Sequence, residues 1–187
     1  MKKALLIASV LLIAVISTAC INNIAVQELN NKAAEYMQKG DYEAAMNRLQ
    51  ASIDLDSTIY ETYYNLGIAA TNAKKYDIAI EAFENGIKIK PEHANFYYSL
   101  AVAQSSYADE LVEDNYYDSE KEETVTKEVS EEDKTKAENM KVLAVDNLNK
   151  YLELNPQAED RNTVEQLIKD CEDFGKEQPE KQVVLEG

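Results

Sequence analysis

The chain has 187 residues, 35 of them acidic and 19 basic, for a net charge of −16. That balance argues against nucleic acid, which needs clustered Lys and Arg to displace counterions, and against docking on anionic lipid by charge. One histidine, two cysteines and no tryptophan leave little material for a metal centre or a disulfide framework.

Lys2 and Lys3 precede an uncharged run, Ala4 to Ala19, that is shorter than the ~20 residues a membrane-spanning helix needs. A basic start, an apolar stretch and small residues describe a secretory signal peptide over 1–19. The following Ser17-Thr18-Ala19-Cys20 resembles the lipobox of bacterial lipoproteins, with Ser17 departing from the usual leucine. The resemblance implies that 1–19 are removed, that Cys20 is acylated (palmitate among its chains), and that 20–25 form a lipidated tether. Ile21, in place of the aspartate that marks inner-membrane retention, resembles the outer-membrane class. The expected location is the cell envelope, on the outer membrane facing the periplasm if the cell has one. A plain signal-peptidase site, with Cys20 a bystander, stays open as the alternative.

The remaining 168 residues carry −18, since Lys2 and Lys3 are lost, and suffice for one domain with a sizeable core. Their other cysteine, Cys171, has no partner once Cys20 is modified and is expected to pack on its helix's apolar stripe.

From Val26 onward a pattern returns after 34 residues. Gly67 falls on Ala33, Tyr76 on Tyr42, Ala79 on Ala45, Phe83 on Leu49, Ile87 on Ile53 and Ile89 on Leu55. A fixed period of this length marks stacked helix–turn–helix units, each burying its apolar face on its neighbours. The first copy, 26–59, puts Leu29, Ala33 and Tyr36 on one helix. It turns at Gly40-Asp41, then continues through Tyr42, Ala45, Leu49, Ser52 and Ile53. The second, 60–93, predicts helices over about 60–73 and 76–89. Gly67 and Ala79 allow close approach, Gly86 is a small residue tolerated for packing, and Pro91 is the stop.

Tyr64-Asn65-Leu66-Gly67-Ile68-Ala69 with Tyr76, Ala79, Phe83 and Pro91 resembles a tetratricopeptide repeat. Ser57 departs mildly, standing where proline is usual. The implied fold is all-α, a right-handed α-solenoid of about three helix hairpins plus a C-terminal capping helix.

The third repeat, 94–158, is interrupted. Ala94, Tyr97, Leu100 and Ala101 supply its first helix. Its second appears late, as Ala144, Leu148, Tyr151, Leu154 and Pro156, with an acidic insertion over about 109–139. Residues 109–136 hold twelve acids and four bases. Ser130 with Asp133 resembles a capping box, so the second helix is expected to begin near Glu131 and the first to overrun through Leu111 and Val112. The pair is expected to form a projecting hairpin with a charged, mobile tip. No calcium-loop spacing is present, so no metal site is read there. Tyr151 fills a slot that a regular repeat keeps small. Val164, Leu167, Ile168 and Cys171 predict a capping helix within 159–175, and 176–187 read as a mobile tail.

The resemblance implies a concave groove lined by first-helix residues. Here those are Gln27, Asn30, Ala34, Glu61, Tyr64, Ile68, Asn95, Tyr98 and Val102, a surface suited to an extended partner segment. The carboxylate clamp of chaperone adaptors is not matched, because its basic slots hold Asn30, Asn95 and Ser99, although Asn65 fits. Tyr64 and Tyr98 could equally be packing residues.

No enzyme is read from the chain: His93 sits in a turn with an expected solvated role, and Glu122 and Glu123 lie in a charge run with nothing to fix them. No catalytic residue, cofactor or small-molecule substrate is assigned. The expected function is a membrane-anchored protein-interaction scaffold with a protein or peptide partner. The alternatives are a surface-exposed lipoprotein binding an extracellular ligand through its acidic hairpin, and a self-associating structural protein.

Overall fold

A computed structural model describes residues 23–113, 115–118, 123–126 and 128–176. The signal segment, Cys20, Glu122 and the tail 177–187 lie outside that set. No helix among the described residues is long and apolar enough to cross a membrane. The chain falls into two compact units that divide after Ala103.

The first unit holds α1 (23–38), α2 (Tyr42–Leu55), α3 (Tyr60–Asn72), α4 (Tyr76–Ile89) and the opening turns of α5 (Ala94–Val112). The helices begin and stop for local reasons that the period repeats. Gly40, at φ 75, carries the chain out of α1, with its N–H on the Met37 carbonyl and that of Asp41 on Tyr36. One period later Lys74 takes the same left-handed position at φ 56, with its N–H on Thr71 and that of Lys75 on Ala70. Asp41 then caps α2 by accepting from the Ala44 N–H at 3.1 Å.

After α2 the turn lacks the proline that follows α4. Asp56 replaces it chemically, accepting from both the N–H (2.9 Å) and the hydroxyl (2.6 Å) of Thr58. These two hydrogen bonds hold its carboxyl below the ordinary carboxylate range.

Small residues and rings interlock in the core of this unit. Ala45, Leu49, Ala69, Ala79, Phe83 and Phe96 are fully buried, each large one worth about 1.5–3 kcal/mol of transfer energy. A Cβ on Gly67 would overlap the Phe83 ring, and one on Gly86 would overlap Phe96. The space expected to admit a neighbouring backbone is therefore filled by an aromatic side chain.

The second unit holds the end of α5, two short strands, α6 (Glu131–Leu154) and α7 (Arg161–Glu172). α6 begins where Ser130 accepts from the Asp133 N–H at 3.0 Å and donates to its carboxylate at 2.8 Å. Ala137, Ala144, Leu148 and Tyr151 form its buried stripe, and Val164 and Cys171 that of α7. The Tyr151 hydroxyl donates to Asp160 at 2.9 Å and accepts from Asn155, so the ring in the oversized slot ties down the turn leading into α7.

Within the insertion the chain forms a short ribbon, and the tip at 119–122 lies outside the described residues. Asn115–Asp118 (β1) and Glu123–Thr126 (β2) pair antiparallel, with Tyr116 opposite Val125 and Asn115 opposite Thr126. Aromatic, valine and threonine residues favour a pleated pair even among carboxylates.

Candidate functional site

The expected groove residues lie on α1, α3 and the first part of α5, all within the first unit. The structure joins α3 to α5 directly. The Ser99 hydroxyl donates to the Tyr64 hydroxyl at 3.3 Å, and the Tyr64 ring meets Phe96 edge-on at 5.3 Å. Glu61 and Asn95 are exposed beside this junction, and Ile68, Tyr98 and Val102 are half-buried. The surface combines aliphatic and phenolic area with an amide and one carboxylate.

On α1 the picture differs. Gln27 is exposed and donates to Asn23 at 2.9 Å. Asn30 spends its amide hydrogens inside the hairpin, on the Val26 carbonyl (2.9 Å) and the Ser52 hydroxyl (2.8 Å). Ser52 is fully buried, so the Asn30–Ser52 bond fastens α1 to α2, and only the Asn30 carbonyl oxygen remains for a partner. No bond links Gln27 or Asn30 to the candidates on α3.

Tyr64 is as much core as surface. Its ring lies 6.0 Å from Phe83, 5.3 Å from Phe96 and 6.2 Å from His93, which makes it a packing residue whose hydroxyl is met by the buried Ser99. The expectation that His93 is a solvated turn residue is corrected. Its ring stands 5.4 Å from Tyr60 and 5.5 Å from Phe96, and its Nδ1 is buried with no hydrogen-bond partner. Its carbonyl accepts the Phe96 N–H at the start of α5. Lys90 roofs the cluster, with Nζ 4.3 Å from the centre of the Tyr60 ring. The pairing of an imidazole with three aromatic rings is set by the α4–α5 turn, which the period places but whose side-chain aim it does not show.

No group of three or more His, Cys, Asp or Glu among the described residues is arranged to hold a metal. In the second unit Lys141 is buried against Asp109 (2.6 Å) and Ser105 (2.8 Å), a contact the sequence reading did not anticipate.

Two family models match the chain. The tetratricopeptide repeat model covers 60–93 and a TPR repeat model covers 33–70. A TPR repeat-containing protein of Schizosaccharomyces pombe is 32% identical over 82 residues, 44% of this chain but 10% of its own length. The chain therefore spans about a tenth of that relative.

Among solved structures, the Arabidopsis OM64 TPR domain matches at 16% identity and TM-score 0.59, over 82% of this chain and 98% of its own. The Yersinia enterocolitica type III secretion chaperone SycD, in complex with a peptide of the translocator YopD, matches at 16% identity and TM-score 0.58, over 79% and 92%. The second TPR domain of human RPAP3, in complex with the HSP70 peptide SGPTIEEVD, matches at 11% and 0.59, over 81% and 98%. At such identities the likeness is one of fold.

Proposed function

Because the chain carries tetratricopeptide repeats, we propose that it is a protein-interaction scaffold whose first-helix surface takes up an extended partner segment. The carrying observation is the junction of α3 and α5. There the Tyr64–Ser99 hydrogen bond joins the two helices, with Glu61 and Ile68 one turn to either side of Tyr64, Asn95 and Val102 one turn to either side of Ser99, and Tyr98 next to Ser99. A surface of this kind gains from burying Ile68 and Val102, and uses Asn95 to bond a strand's backbone.

The partner chemistry differs from that of the human neighbour's acidic peptide. The positions that would need cations are Asn30, Asn95 and Ser99, and the one charged residue among the candidate groove positions is Glu61. An uncharged or basic segment fits; an acidic one meets no counter-charge.

We further propose that this scaffold sits in the cell envelope, held by an acylated Cys20 after removal of residues 1–19. The signal-like run and the Ser17-Thr18-Ala19-Cys20 motif support this reading. Several acyl chains on one cysteine anchor firmly, each buried CH₂ contributing ~0.8 kcal/mol. Palmitate labelling should be lost in Cys20→Ser; labelling that survives sinks the anchor.

A photoreactive residue replacing Tyr98, introduced in native cells, should capture a partner that the same residue at Glu84 on α4 does not. Equal capture at both positions would count against the groove. The ribbon of Asn115–Asp118 and Glu123–Thr126 favours a second reading, in which this acidic hairpin meets an extracellular ligand. Protease shaving of intact cells separates the two: degradation supports the hairpin reading, protection the envelope scaffold.

A further inference from the structure

In the second unit, α7 runs back along α6 from the Tyr151–Asp160 bond to the Lys141–Phe174 contact. With 12 residues it cannot cover a helix of 24. Where it ends, an open cavity of about 320 Å³ is floored by Val142, Val145 and Phe174 and rimmed by Glu138, Asp146 and Glu172. The Phe174 ring is held in place by the buried Lys141 ammonium, 4.8 Å from its centre.

The floor departs from the repeat. With Ala144 and Leu148 in the places of Ala79 and Phe83 on α4 and of Ala45 and Leu49 on α2, Val142 takes the place of Asp77 and Glu43. Those two carboxylates are exposed, and on α6 the same position carries a valine that is 62% exposed. The exchange extends the apolar floor at a position where the other repeats meet water. The rim departs in the other direction. Its three carboxylates are exposed, and among the described residues no cation forms an ion pair with any of them. Lys141, the cation in the cavity wall, is spent on Asp109 at 2.6 Å. An apolar floor inside a ring of one sign of charge selects a partner that is apolar and cationic. Residues 177–187 bring three acids and one lysine, and a second copy of the chain brings −16, so both share the rim's sign.

We propose that the α6–α7 cavity docks a basic amphipathic helix of another protein. Val142 and Val145, one turn apart, form a ridge that apolar side chains at i, i+3 and i+4 of a facing helix straddle. Glu138 and Asp146 lie about 12 Å apart along α6, so they take Lys or Arg side chains two turns apart on the partner. No residue of the groove on α3 and α5 takes part.

Fluorescence anisotropy of a labelled synthetic probe with the full chain tests this. The probe is an alanine-based helix of about four turns with leucines at i, i+3, i+4 and i+7 and lysines flanking that stripe. A peptide of the same composition with its lysines and leucines scattered round the helix should bind about tenfold more weakly. Val142→Asp restores the carboxylate of the other repeats and should weaken probe binding about tenfold, whereas general attraction to an acidic chain would tighten it. Glu138→Gln with Asp146→Asn should weaken binding about fivefold, and Glu81→Gln with Glu84→Gln on α4 should leave it unchanged. Unchanged or tighter binding in Val142→Asp overturns the proposal, as does equal binding of the two peptides. Tighter binding after truncation past Lys176 also overturns it, by assigning the cavity to the chain's own end. A dimer on sizing that the probe dissociates overturns it by assigning the cavity to a second copy.

Discussion

The Phe83 ring occupies the space that any side chain at position 67 would need, so Gly67 and Phe83 form a matched pair across the α3–α4 hairpin. Phe83 is fully buried and cannot swing aside. Overpacking of this kind costs about 1–3 kcal/mol, against up to about 1 kcal/mol of helix propensity gained from alanine. Gly67→Ala should therefore lower stability by about 1–2 kcal/mol in urea unfolding. The period supplies the compensating change, since Ala33 and Leu49 hold the same two positions one repeat earlier. Gly67→Ala with Phe83→Leu should recover much of the loss, and strictly additive single effects would disprove the pairing.

Lys74 pays for a backbone conformation that Gly40 adopts freely at the equivalent turn. Its φ of 56 is left-handed, and its side chain is exposed. Lys74→Gly should stabilise by about 0.5–1 kcal/mol, the left-handed strain being partly offset by the entropy of an added glycine. A lowered melting temperature would show that the lysine side chain contributes more than its backbone costs.

These two positions show how far the sequence could be read. The bounds of α3 and α4, and the start of α6 at Glu131, follow from periodicity and caps, because both act within a few residues. What a side chain faces across a turn is not encoded at that range. Asn30 and Ser52 are 22 residues apart, and their bond decides that Asn30 serves the hairpin more than a partner. His93 likewise joins Tyr60 and Phe96 through the angle of one turn. The ribbon did have a local signal: Tyr116-Tyr117 and Thr124-Val125-Thr126 are strand formers flanking a short polar break. The density of charge around them obscured it.

Lys141 and Asp109 are unequal partners, at 8% and 62% side-chain exposure. Removing the exposed carboxylate leaves a buried ammonium with only the neutral Ser105 hydroxyl and the Phe174 ring, whereas removing the ammonium leaves a carboxylate that water can solvate. Asp109→Asn should thus cost more, about 1–2 kcal/mol, than Lys141→Met, which keeps the apolar stem and loses under about 1 kcal/mol. The reverse order in denaturant titrations would refute the assignment.

Asp56 is held below the ordinary carboxylate range by the Thr58 hydroxyl and then by the Thr58 N–H. A depressed folded pKa contributes stability that is present above the ordinary carboxylate pKa and lost as pH falls through the folded value. Thr58→Ala removes the hydroxyl and should move the Asp56 titration upward, as read by NMR of its side-chain carbon. It should also flatten the fall in stability at pH values below the usual carboxylate range. An unmoved titration would mean that the N–H alone sets it.

The register of the ribbon has one more consequence. Asn115 pairs with Thr126, so the chain enters and leaves the ribbon at points only about 5 Å apart. A segment whose two ends already meet can be excised and the gap closed with a tight turn, without moving either flanking helix. Closing a short loop in place of a long one lowers the entropy lost on folding. The ribbon of 115–126 is, in that sense, a removable cassette. It can be exchanged between chains or replaced by a tag, and the helices on either side would fold around the shorter joint.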